Sequence, residues 1–138
     1  METKTFFADL GHLHEILRWI RREAEKMSFT SSDLYKIELA SEEAIVNVIH
    51  HSYEDKGGDV SVSIDLFSGS IKIMISDSGH PFNPLAQKTK ASLDTPLEER
   101  QMGGLGILFI RKCLDEVSYQ RKNHQNILTL TKKHRSTN

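Results

Sequence analysis

Leu39-Ala40-Ser41-Glu42-Glu43-Ala44-Ile45-Val46-Asn47-Val48-Ile49-His50-His51-Ser52-Tyr53 reads as a helix carrying a carboxylate and a carboxamide one helical turn apart. Glu43 and Asn47 stand at i and i+4, so both side chains share one face. Leu34, Ile37, Ala40, Ala44, Ile45 and Val48 recur at three- and four-residue steps and give the helix a buried side. A carboxylate and an amide oxygen projecting together can orient a hydroxyl and hold a hard cation such as Mg2+. Alone, the same spacing also describes the polar face of an ordinary amphipathic helix. Its meaning depends on what the rest of the chain supplies.

Upstream, Thr3 to Ala8 is rich in strand formers and suits an edge strand. A helical period follows in Leu10, Leu13, Ile16, Leu17, Ile20, Ala24 and Met27, with Asp9 as N-cap and Trp19 at the rim of the core. Thr30 with Asp33 resembles a capping box that opens the next helix, which runs through Glu43 and Asn47 and stops near Ser52. Asp55-Lys56-Gly57-Gly58-Asp59 is a turn by composition.

Downstream, Val60 to Phe67 and Ile71 to Asp77 alternate apolar and polar residues around Ser68-Gly69-Ser70, which predicts an antiparallel hairpin with one buried face. From His80 to Met102 the chain holds all three prolines (Pro81, Pro84, Pro96) and little periodicity, as in a functional lid or a disordered segment. Gly103-Gly104-Leu105-Gly106 then opens a helix expected to end near Leu114. Glu116 to Arg121 and Ile127 to Lys132 read as a last strand pair around Asn123-His124-Gln125-Asn126. The order β-α-α-β-β-lid-α-β-β implies a two-layer α/β sandwich: a mixed, mostly antiparallel sheet with helices on one face. Such a fold leaves a pocket between helix layer and loop.

The totals narrow the function classes. A length of 138 residues fits a single domain over 1–138 with its lid at about 80–102. Eighteen basic against 19 acidic residues argue against a direct nucleic-acid binder using a broad basic surface. The one basic run, Lys132-Lys133-His134-Arg135, reads as a solvated tail. Cys113 is the only cysteine, which excludes an intramolecular disulfide and a cysteine metal cage. His12 and His14 face different ways on a helix, as do His50 and His51, and no transition-metal spacing appears. No apolar run approaches membrane-spanning length and no signal-peptide core is present, so a cytoplasmic protein without membrane contact is expected.

Two further signals accompany Glu43 and Asn47. Asp77-Ser78-Gly79 ends a strand, where a carboxylate can accept from an exocyclic amino group such as adenine's and Gly79 would let the base approach the backbone. The same residues also fit an Asx-turn. Gly103, Gly104 and Gly106 would expose N–H groups at a helix N-terminus suited to phosphates, or serve as a hinge. No G-K-[ST] follows, so this is not a Walker loop.

In their order, the three signals resemble the N, G1 and G2 boxes of the GHKL (Bergerat) ATP-binding fold. The closer resemblance is to anti-sigma factor serine kinases of the RsbW and SpoIIAB type. Glu43 to Tyr53 is similar to that group's E-A-x-x-N-A-x-x-H-x-Y, and Asp77-Ser78-Gly79-His80-Pro81-Phe82 to its D-x-G-x-P-F. Gly103 to Lys112 with Asp115-Glu116-Val117 looks like G-G-x-G-x-x-L-I-R-K…D-E-V, and Asn126 to Lys132 also fits. Pro81 stands where many members carry a second glycine, and Ser52 where close relatives often have one.

The resemblance implies a kinase that uses ATP and Mg2+, with Glu43 as general base and Asn47 as metal ligand. It implies Asp77 reading the adenine amino group with support from Gly79, and Gly103, Gly104 and Gly106 cradling the phosphates. Arg100 would meet the terminal phosphate and Thr129 would line the adenine pocket. The implied partners are an anti-anti-sigma (STAS-domain) protein as phosphorylation substrate, a sigma factor, and a second copy of the chain in a homodimer. A nucleotide-gated binding module without kinase activity is the competing reading, and a histidine-kinase ATP domain separated from its dimerisation helices is a third.

Overall fold

The computed structural model describes residues 1–86 and 110–134. Its elements run β1 (Glu2–Phe7), α1 (Leu10–Ala24), α2 (Ser31–Asn47), β2 (Asp59–Phe67), β3 (Ser70–Asp77), β4 (Glu116–Lys122) and β5 (Gln125–Lys133). A π-helical turn, Val48–Ser52, extends α2, and a 3-10 turn spans Pro84–Ala86. Residues 110–113 are helical, while the expected opening of that helix at Gly103 and the lid beyond residue 86 lie outside the described residues.

The sheet has the order β1-β2-β3-β5-β4 and every pairing among the described residues is antiparallel, in keeping with the mostly antiparallel sheet read from the sequence. β1 is an edge strand as expected, and β3 lies at the centre. Residues paired across strands share a face. One face therefore collects Phe6, Val60, Val62, Ile64, Ile73, Ile75, Leu128 and Leu130, all in the core. The helices cover this face with Ile16, Ile20 and Ala24 of α1 and Ile37, Ala40, Ala44 and Ile45 of α2. Each fully buried Ile contributes about 1.5–3 kcal/mol of apolar transfer. The opposite face is polar, with Thr3 bonded to Ser63 and Thr5 to Ser61 through their hydroxyls.

Local chemistry sets the boundaries. Asp9 caps α1 by accepting from the His12 N–H at 2.9 Å, and Thr30 caps α2 by accepting from the Asp33 N–H at 3.1 Å. Ser68 and Gly69 carry φ of 46° and 75°, the left-handed pair of a two-residue hairpin turn, so β3 starts at Ser70. Asn123 and His124 do the same between β4 and β5 with φ of 52° and 63°. The turn is thus shorter than the four residues read from composition, and Gln125 and Asn126 belong to β5.

The basic run read as a solvated tail is corrected at Lys132. Lys132 lies within β5 and is 7% exposed, with its Nζ 3.7 Å from carboxylate oxygens of both Asp33 and Asp115. It ties the start of α2 to the approach to β4 (Asp115 also accepts from the Lys133 N–H at 2.8 Å). A lysine pinned between two carboxylates tolerates a burial that a solitary one would not.

Candidate active site

α2 brings Asn47 to a cleft against the last residue of β3 and the first residues of β5. The cleft is small and open to solvent, and is lined by Asn47 and Ala44 of α2, Asp77 and Ile75 of β3, and Asn126 and Leu128 of β5. Ser52, Phe82 and Tyr119 line it as well. Asn47 and Asp77, two of the residues singled out from sequence, therefore meet in one cavity.

Glu43 sits one turn earlier on α2 and outside that lining. Its Oε1 is buried and makes no hydrogen bond among the described residues. Burial, followed by the like charge of Glu42, raises the Glu43 pKa, and His50 opposes them. A desolvated carboxylate with an unused acceptor suits a proton-accepting role, because its pKa moves toward neutrality.

Asp77 is buried at the end of β3, and burial likewise raises its pKa. Hydrogen bonds from Asn126, Gly79 and Ser52, then the charge of Arg121, pull in the other direction. The Gly79 N–H donates to Asp77 Oδ1 at 2.9 Å, forming the Asx-turn that was one of the two sequence readings. The same carboxylate still faces the cavity.

Gly79 has a physical reason within the chain itself. A Cβ there would stand 2.3 Å from the Ser52 carbonyl oxygen, so what approaches its backbone closely is the π-helical turn. The His80 N–H donates to that same carbonyl at 2.7 Å. Tyr53, from the sequence motif, fastens the arrangement: its hydroxyl donates to the Asp59 carbonyl at 2.6 Å and accepts from the Ser78 N–H at 2.9 Å. Phe82 stacks on His51 with ring centroids 4.4 Å apart, closing one side of the cleft.

Thr129 does not join these residues. It pairs with Met74, one position from Leu128, and strand alternation that turns Leu128 into the cleft turns Thr129 to the opposite face. Arg100, Gly103, Gly104 and Gly106 lie outside the described residues. Sequence reasoning missed Asn126 because it was assigned to the turn; its place two residues before Leu128, at the same alternation as Leu128 and Leu130, is the signal that would have found it.

The donor set can be tested against the implied nucleotide and cation. No group of three or more His, Cys, Asp or Glu able to hold a metal occurs among the described residues. Mg2+ carried by a nucleotide needs only one or two protein oxygens, with water and phosphate supplying the rest. Asn47, buried and lining the cavity, fits that demand, and the unpaired Glu43 acceptor one turn away fits an incoming hydroxyl.

An antiparallel sheet covered on one face by helices, with a carboxamide and a strand-end carboxylate in the cleft between them, defines an ATPase-type fold. The chain belongs to the family described as the histidine kinase-like ATPase domain, whose model matches residues 6–132. Among its relatives are proteins named serine-protein kinase RsbW. The one from Halalkalibacterium halodurans is 30% identical over 112 residues, covering 79% of this chain and 68% of the relative. Those from Bacillus subtilis and Bacillus mycoides are 29% and 26% identical over 108 residues, covering 75% and 76% of this chain and 66% and 68% of theirs. The GHKL and RsbW-type resemblance read from the motifs is thereby borne out.

Proposed function

We propose that the chain is a serine/threonine-protein kinase of the anti-sigma type, acting as one ATP-binding domain with a lid at about residues 80–102. The observation that carries this reading is the juxtaposition of Asn47 and Asp77 in one cleft with Glu43, whose Oε1 is buried and without a hydrogen bond among the described residues, a turn away. The names of its relatives support the same class of reaction.

Mg-ATP, when bound, supplies the phosphoryl group and a cation that neutralises its charge. Asp77 accepts from the base's amino group. Asn47 would hold the cation, its amide oxygen being the donor a hard ion takes. Glu43 would take the proton from the serine or threonine hydroxyl of the partner as that oxygen gains the phosphoryl group and ADP leaves with the broken β–γ bond. Gly103, Gly104, Gly106 and Arg100 serve the phosphates. The phosphate acceptor is an anti-anti-sigma protein that phosphorylation releases, after which the kinase, a cytoplasmic homodimer, captures a sigma factor.

Labelled Mg-ATP added to host-cell lysate tests this. Wild-type protein is expected to label one small protein on serine or threonine, and Glu43→Ala to lower the rate by about 10²–10⁴-fold. Equal labelling by both proteins removes Glu43 as base. Binding of ATP with no labelled protein replaces the kinase by a nucleotide-gated module that sequesters its partner.

A further inference from the structure

Asn126 is 4% exposed and sits directly opposite Asp77 across the β3–β5 pairing. Its amide orientation is fixed by its partners. The Phe82 N–H donates to Oδ1 at 3.1 Å, as does the Tyr119 hydroxyl, while Nδ2 donates to the His80 carbonyl at 2.7 Å. Only one assignment of amide oxygen and nitrogen satisfies an N–H and a carbonyl together. The remaining Nδ2 hydrogen reaches Asp77 Oδ1 at 2.9 Å, with Ser52 Oγ at 3.3 Å beside it. One side chain thus joins β3, β4, β5, the segment after Asp77 and the π-helical turn.

We propose that Asn126 is the positioning residue that holds the Asp77 carboxylate in place and thereby sets selectivity for a 6-aminopurine nucleotide over a 6-oxopurine one. The inference rests on the nucleotide reading of the cleft. A carboxylate only accepts, so it pairs with an amino group and repels a ring carbonyl. That discrimination requires the carboxylate to stay ionised and fixed. The Asn126 amide and the Gly79 N–H both grip Oδ1 in its ionised form. Without the amide, Asp77 loses the first of its stabilising partners and keeps the Gly79 N–H and Ser52; it turns more freely and protonates more readily, and a protonated carboxyl donates to a 6-oxo group.

The test is calorimetric titration of wild type, Asn126→Leu and Asn126→Ser with Mg-ATP and with Mg-ITP, whose base carries oxygen at the 6 position. Leu removes the amide at similar volume, and Ser keeps the site polar should Leu prevent folding; circular dichroism identifies the folded variants. Wild type is expected to prefer ATP strongly. The variants are expected to lose at least tenfold of the ATP-to-ITP affinity ratio, chiefly through weaker ATP binding. An unchanged ratio, or equal losses for both nucleotides, overturns the proposal and leaves Asn126 a purely structural residue. Failure of wild type to bind ATP overturns the nucleotide reading instead.

Discussion

Glu43 presents an acceptor that folding buries and leaves without a hydrogen bond, a condition that costs about 1–3 kcal/mol for a polar group. Its raised pKa gives the cost a pH signature. Well below the ordinary carboxylate range, folded and unfolded chains both hold Glu43 protonated and no charge is buried. As pH rises through the folded-state pKa, the unfolded chain has already released its proton and the native state is penalised. Glu43→Gln keeps the shape and removes the charge. It is therefore expected to be more stable than wild type by about 1 kcal/mol near neutral pH, with the gain shrinking to nothing by about pH 4. Thermal melting across that range checks it. A gain that grows on acidification would reverse the sign and contradict the assigned burial. Stability given up at one carboxylate is expected where that group is needed for chemistry.

At the scale of elements, the decisive piece is the π-helical turn that ends α2. It carries the Ser52 carbonyl against Gly79, and the two segments leave no room for a side chain. Gly79→Ala is expected to cost about 2 kcal/mol, because both contacting groups are backbone or backbone-anchored and neither can swing aside. Chemical denaturation measures this, and a loss below about 0.5 kcal/mol would contradict the close approach. Helices and strands were legible in the sequence because their periods and caps are local: Asp9, Thr30 and the alternation of Val60 to Phe67 each announce an element without outside help. The π-turn was not, since Val48 to Ser52 continues the helical pattern and only packing against the next turn decides the hydrogen-bond spacing. Asn126 was missed for a reason of pattern. Asn is common in turns, and assigning it there obscured the alternation that sends 126, 128 and 130 inward and 129 outward.

For the molecule as a whole, the sheet separates two chemistries. One face is an apolar core beneath two helices, and the other is a field of serine and threonine hydroxyls. The near-balanced charge leaves function to the cleft, where the strand-end Asp77, the helix-borne Asn47 and the β5 amide of Asn126 converge from three separate stretches of chain. Their order along the sequence was readable as a family pattern. Their meeting is a property of the fold, because only the β3–β5 pairing sets Asn126 opposite Asp77. The central claim is that this cleft binds an adenine nucleotide through Asp77. Calorimetric titration of wild type and Asp77→Asn with Mg-ATP tests it most directly. Saturable binding at one nucleotide per chain, weakened about tenfold or more in the folded variant, is the predicted result, matching the loss of a hydrogen bond to a charged group. Equal affinity in the two proteins, or no binding to wild type, would contradict it.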